Sequence, residues 1–184
     1  MGQEGQPRVL CAVLASPPTT SGVRTRGALQ AAAALLNCDV VEIVNLLPLA
    51  TRDVTDMATV GAALGPWEAG RPELLRGLRA GDAVLAAWGV SSLAKPALHH
   101  QRAQVAWLVS SAERLGCPQV WTVGPQPRHP SRWHQYVSDR HGRTSPGLTT
   151  AERFSEVLLQ RPWSALLPTA LGEDARWSLP EPRT

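Results

Sequence analysis

Between Gln126 and Tyr136 the chain reads QPRHPSRWHQY. Arginine, histidine and tryptophan alternate there with prolines that stiffen the backbone, and the apolar run Val120 to Val123 leads in through Gly124-Pro125. His129 stands between Arg128 and Arg132 and is followed by Pro130 and Ser131. An imidazole exchanges its proton near neutral pH, and a guanidinium fork suits phosphate or carboxylate. Such a loop could polarise a leaving group while holding an anion. Taken alone, it reads equally well as a solvated basic loop.

Three further apolar runs end in residues that could do chemistry. Ser16-Pro17-Pro18 follows Val9 to Ala15, Asn45-Leu46-Leu47-Pro48 follows Val40 to Val44, and Trp88-Gly89 follows Ala83 to Ala87. Ser16 can orient a water, and is also an ordinary turn residue before proline. Asn45 offers a donor and an acceptor in one plane, and can equally turn the chain. Trp88 could receive an aromatic ring, although tryptophan at such a place is more often core. Asp53 and Asp56 could bring a carboxylate from the next loop or simply start a helix.

Metal and cofactor chemistry finds no such support. Cys11, Cys38 and Cys117 are far apart with no CxxC pair, which argues against zinc, an iron–sulfur cluster or a disulfide framework. His99 and His100 are adjacent and would point apart on a helix. The chain contains neither GxGxxG nor GxxxxGK[ST], so no dinucleotide or triphosphate cofactor is expected.

The reactive residues share a site only if the runs before them are parallel strands of one sheet, because such sheets bind ligands outside their carboxyl ends. Val9 to Ala15 reads as the first strand. Arg26 to Leu36 is alanine-rich and predicts a helix closed by Asn37. Val40 to Asn45 is β-branched, as in a strand covered on both faces. Short helices are expected at Met57 to Leu64 and from Pro66 through Trp67, Leu74, Leu75 and Leu78 to Gly81. Ala83 to Trp88 gives a third strand, ended by Gly89. Gln101 to Leu115 carries Val105, Leu108, Val109, Ala112 and Leu115 on one stripe, with Gly116 as cap. Val120 to Val123 is the fourth strand. After a turn-rich stretch at 139–147, a helix is expected from Thr149 to Leu159, with Thr150 at its start and Arg153 where a capping glutamate would stand.

Strands alternating with helices predict one three-layer α/β/α domain over residues 8–160, with a mainly parallel sheet of about four strands. Residues 161–184, with Trp163, Trp177 and scattered proline, read as a C-terminal tail. A chain of 184 residues suits a single core. No segment approaches the ~20 apolar residues of a membrane span, and the short run Val9 to Ala15 meets Pro17-Pro18 too soon for a signal peptide. No membrane association is expected, and the cytoplasm is the default location. Of 18 basic residues 17 are arginine, which favours an anionic partner. With seven Trp against one Tyr and one Phe, the aromatic surface is expected to be nearly all indole.

In order, Leu14-Ala15-Ser16-Pro17-Pro18, Val44-Asn45-Leu46-Leu47-Pro48-Leu49, Ala86-Ala87-Trp88-Gly89 and Arg128-His129-Pro130-Ser131 resemble the motifs of the domain-of-unknown-function 1643 family. Those small bacterial proteins carry an L-N-P-S turn, a V-N-L-F segment, an A-W-G strand end and a late H-P. The resemblance spans about residues 8 to 160. More distantly, the same order is similar to the uracil-DNA glycosylase superfamily, and this implies its fold, DNA repair and N-glycosidic hydrolysis. Its partner would be DNA or a nucleoside-like small molecule. On that resemblance Ser16 falls at the water-orienting position, Asn45 at the base-reading amide and His129 at the loop histidine.

Under that implication His129 and Ser16 would be catalytic, with Asp53 as a catalytic carboxylate brought from the neighbouring loop. Asn45, Pro17, Leu46, Trp88, Gly89 and Ser131 would bind the substrate, with Arg128 and Arg132 on flanking phosphates. The sequence departs from the pattern at Ser16, where related motifs carry Asp or Asn. A hydroxyl brings no negative charge to a cation-like sugar. The alternative is therefore a non-catalytic nucleic-acid or nucleotide-binding protein that keeps the pocket without the chemistry.

Overall fold

The computed structural model describes residues 6–89, 92–138, 140 and 144–167. Its sheet grows outward from β1 (Val9–Leu14), which is buried along almost its whole length. Alternation sends Leu10, Ala12 and Leu14 to one face, and Cys11 and Val13 to the other. β1 pairs in parallel with β2 (Val40–Asn45) on one side and β3 (Ala83–Ala86) on the other. β4 (Gln119–Val123) extends the sheet beyond β3, again in parallel. β5 (Leu158–Pro162) closes that side antiparallel to β4, giving five strands in the order β2-β1-β3-β4-β5.

Helices cover both faces. α1 (Val23–Leu35) packs Leu29, Ala32 and Ala33 against Leu10, Ala12 and Leu14. The short α6 (His134–Val137) and α7 (Thr150–Val157) complete that layer through Tyr136, Phe154 and Val157. The opposite layer holds α2 (Val54–Val60), α3 (Gly65–Ala69), α4 (Arg71–Ala80) and α5 (Ala97–Arg114). Its core joins Trp67, Leu74, Leu78, Val105 and Leu108 to Cys11, Val13 and Val44. This is the expected α/β architecture with a mainly parallel sheet. The fifth strand was not legible, because Leu158-Leu159-Gln160-Arg161-Pro162 ends in proline and shows no clear alternation.

Four other departures have local causes. The helix expected from Pro66 to Gly81 breaks into α3 and α4 at Gly70. There Pro72 starts a new helix, and the bare Gly70 backbone approaches the Asn45 and Leu46 carbonyls, within 3.2–3.3 Å of where a Cβ would lie. The last helix spans Thr150–Val157 and is capped by Thr149 rather than Thr150, with Thr149 and Glu152 forming a complete capping box, and Leu158 and Leu159 pass into β5. β2 is covered on both faces, by α4 and by α1, but lies at the edge of the sheet, and Val40 is exposed. The indoles are mostly internal, with Trp67, Trp88, Trp133 and Trp163 buried.

The cysteines are free, and Cys11 lies wholly inside. Burial first, and Glu42 second, push its thiol up to about 12. Among the described residues no helix is long and apolar enough to cross a membrane.

The expected boundary at residue 160 falls inside β5. Beyond it, a 3-10 turn (Trp163–Leu166) places Trp163, only 1% exposed, in the core shared with α5. Residues 168–184 of the expected tail lie outside the described residues. Trp163→Ala removes a fully buried indole and should cost about 3–5 kcal/mol, measured by urea unfolding. A dispensable tail residue would leave the unfolding midpoint in place.

Candidate functional site

The chain leaves β1 for β2 on one side and then crosses to β3 on the other. This makes the β1/β3 boundary the topological switch point, where the loops leaving two neighbouring strands diverge and open a crevice. The residues at that edge are those the sequence singled out. β1 runs into Ser16 and Pro17, β3 into Trp88 and Gly89, and Asn45 ends β2.

Backbone hydrogen bonds carry the pairing of β1 and β2 past the strand ends. Leu46 N–H donates to the Leu14 carbonyl and Leu47 N–H to that of Ala15, both at 2.9 Å. Thr51 N–H reaches the Pro17 carbonyl at 3.1 Å. This zipper brings the Ser16 and Thr51 hydroxyls to 2.5 Å. The pair is half-buried, so one hydroxyl donates to the other and the second proton remains for a ligand or water. Asn45 pairs with Leu14 in the β1–β2 register and so shares its α1-side face. Its Oδ1 is buried, with no hydrogen-bond partner among the described residues.

On the other side of the switch, Gly89 fixes the position of His129. Gly89 has φ +84°, and its N–H donates to the Pro127 carbonyl at 2.5 Å. A Cβ at this position would lie 3.2 Å from the His129 Cβ, so the loop after β4 closes directly over the end of β3. The following 3-10 turn (Pro130–Arg132) packs against α1. Adjacent strands are ~4.8 Å apart, so the β2, β1 and β3 ends span about 10 Å, within reach of one small planar ligand.

The His129 ring is itself held. Ser131 N–H donates to His129 Nδ1 at 3.2 Å, and the Ser131 hydroxyl lies 2.9 Å from the same nitrogen. A neutral imidazole that accepts at Nδ1 carries its proton on Nε2. Burial, with the Arg132 charge as the second cause, lowers the His129 pKa below its ordinary 6.5. The geometry therefore favours a neutral ring with a donor at Nε2. Trp133 braces the loop by donating from Nε1 to the Arg128 carbonyl at 2.8 Å.

The remaining expected residues divide. Leu46 and Trp88 are core residues of the α2–α5 face, across the sheet from the α1-side core. Their side chains belong to packing, because alternation turns them away from the face that Asn45 shares. Asp53 caps α2, accepting the Asp56 N–H at 2.9 Å. Asp56 in turn accepts the Arg52 N–H at 3.0 Å. Both acids thus serve the helix start. Arg128 stacks its guanidinium 5.3 Å from the Tyr136 ring centre, with a buried and unpartnered Nε, whereas Arg132 is exposed. Pro17 is half-buried, and Ser131 acts through His129.

Two residues escaped sequence reasoning. Thr51 is the partner of Ser16, 35 positions away, and no local pattern announces it. Gln104, fully buried on α5, donates from Nε2 to the Trp67 carbonyl at 2.7 Å and to that of Leu46 at 3.2 Å. It accepts from Arg71 Nε at 3.2 Å, which ties α3, α4 and α5 to the residue after Asn45. The available signal was weak, because Gln104 is one of three polar residues on the buried face of α5, with Gln101 and Ser111.

Two measurements check this geometry. Gly89→Ala forces a left-handed alanine against His129 and should cost roughly 1–2 kcal/mol in urea unfolding. For His129 the folded pKa is depressed, so its contribution to stability is complete above pH 6.5 and is lost as pH falls from there through the folded value. His129→Gln should remove that component, and the difference between the two proteins' stability–pH curves isolates it.

A model of the family described as protein of unknown function (DUF1643) matches residues 5–131, more than half of the chain. The match takes in β1 to β4 and runs through His129, Pro130 and Ser131, leaving α6, α7 and β5 beyond it. No curated protein and no solved structure matches the chain. From its first strand to the histidine loop that closes over Gly89, the chain belongs to the DUF1643 family.

Proposed function

We propose that the β1/β3 crevice binds a nucleobase, in DNA or a nucleoside-like molecule, and that the protein acts as an N-glycosidase of the uracil-DNA glycosylase type. The observation that carries this reading is the buried, unpartnered Oδ1 of Asn45 at a strand end. An unmet buried acceptor costs about 1–3 kcal/mol, and a ligand N–H would recover it. The amide presents a donor beside that acceptor, which suits the edge of a base.

His129 supplies the chemistry in this reading. When the bond from sugar to base breaks, negative charge develops on the base. The Nε2 proton of a neutral, positioned imidazole can donate to that charge without first losing a proton of its own. One such donor is worth about 3 kcal/mol. Arg132, exposed beside it, would hold a flanking phosphate. The cytoplasmic location expected from the sequence accords with a nucleic-acid substrate.

The pairing of Ser16 with Thr51 favours a second reading. Two hydroxyls can orient a water but give no charge to stabilise the cation-like sugar, and the acids of the next loop, Asp53 and Asp56, are engaged at the start of α2. The pocket could thus bind a base without cleaving the bond, as a nucleic-acid or nucleotide-binding protein.

One assay separates the two. The protein is incubated with single- and double-stranded DNA carrying uracil, hypoxanthine or alkylated bases, and with the matching nucleosides, and abasic sites or free base are scored. Release that falls at least ~100-fold in His129→Ala supports the enzyme, since one lost donor of this kind costs that much. Binding lost in Asn45→Ala without any release supports the binder. Neither release nor binding would sink both.

A further inference from the structure

The arginines outside the crevice are unevenly distributed. Ser16 to Cys38 contains no acidic residue, and neither does Arg114 to Ser138. The first stretch carries Arg24 and Arg26 on the opening turn of α1, and the second carries Arg128 and Arg132 on the loop whose 3-10 turn packs against α1. Among the described residues none of these four arginines forms a salt bridge, whereas Arg52, Arg71 and Arg76 are all paired with carboxylates.

Several acids are already engaged, Asp53 and Asp56 among them at the start of α2. Asp39 and Asp82 receive the Arg8 and Val9 N–H groups at the start of β1, the opposite end of the sheet from the crevice. Glu152 and Glu156 are engaged at the capping box of α7 and at Ser145.

Arg24 and Arg26 are also poorly placed for the helix that carries them. Cations in the first turn oppose the helix dipole, and α1 has neither an acidic residue there nor a side-chain cap. Both are exposed, although the Arg26 guanidinium bonds the Ser21 carbonyl. Between them and the preceding loop stands Val23, 69% exposed. A solvated structural helix gains nothing from this arrangement, and a surface that meets a polyanion does.

We propose that Arg24 and Arg26, together with Arg132, form a track for the phosphate backbone of a nucleic-acid strand whose base enters the β1/β3 crevice. The proposal rests on the base-binding reading and narrows it from base or nucleoside to polymer. A single nucleotide presents phosphate only beside the sugar it carries. Three guanidinium groups spread over α1 and the histidine loop suit the successive phosphates of a strand better than the phosphate of one nucleotide.

The test is the salt dependence of binding to a fluorescent 20-mer DNA, single- and double-stranded, compared among wild type, Arg24→Gln/Arg26→Gln and Arg79→Gln/Arg114→Gln. The control arginines are in the last turns of α4 and α5, at the far end of the sheet. Each lost phosphate contact should reduce the slope of log affinity against log salt by about 1, so the α1 double variant should lose about 2 and the control nothing. In the absence of DNA, Arg24→Glu should raise the thermal midpoint, since it corrects the helix-start charge while weakening binding.

Wild-type DNA binding with an unchanged slope in the α1 variant overturns the track and leaves the crevice reading intact. Base release from nucleosides without DNA binding does the same. Preferential binding to anionic phosphatidylserine vesicles over DNA also overturns it. Absence of binding and of base release together removes the crevice reading, and the track with it.

Discussion

β1 is needed by two cores at once. Leu10, Ala12 and Leu14 pack under α1, while Cys11 and Val13 pack under α4 and α5. Slipping the strand by one residue would exchange the two sets, and Leu10, Ala12 and Leu14 would not fit the space shaped around Cys11 and Val13, so close packing on both faces fixes its register. Everything at the crevice inherits this constraint. Where β1 stops decides which carbonyls meet Leu46, Leu47 and Thr51, and hence that Ser16 faces Thr51 while Asn45 aligns with Leu14. The chemistry at the edge is set by hydrophobic packing several residues away.

That dependence explains which parts were legible in the sequence. β1 and α5 have long, unambiguous patterns, and the places where apolar runs stop marked Ser16, Asn45 and His129 as residues of one sheet edge. The sequence could not show which way each side chain turns. Leu46 and Trp88 stand beside Asn45 and Gly89 in the chain, but the alternation of the sheet sends them into the opposite core. Thr51 and Gln104 were hidden for another reason. Each acts through partners more than 30 positions away, and no window of neighbouring residues contains that relation. Asp53 shows the reverse, since the local reading of a helix-start acid describes its hydrogen bond fully.

The crevice is built largely by main chain. The loops after β1 and β2 are joined by carbonyl–amide bonds, and Gly89 and Gly70 allow neighbouring segments to approach where a methyl group would crowd them. Main-chain contacts hold position without fixing side-chain identity. A scaffold of this kind can keep its shape while residues such as Ser16 vary.

The unpaired edge of β2 has a different consequence. Among the described residues no strand pairs with the outer side of β2, where Val41 and Ile43 are partly exposed. Such an edge invites a strand from another molecule, above all while the chain is newly made and β1 is not yet in place. Glu42 interrupts that run with a charge turned toward α4, where Arg76 meets it. A charge within such a run disfavours edge-to-edge pairing of chains, a constraint on the solubility of nascent chains that is separate from the crevice at the other end of the strand.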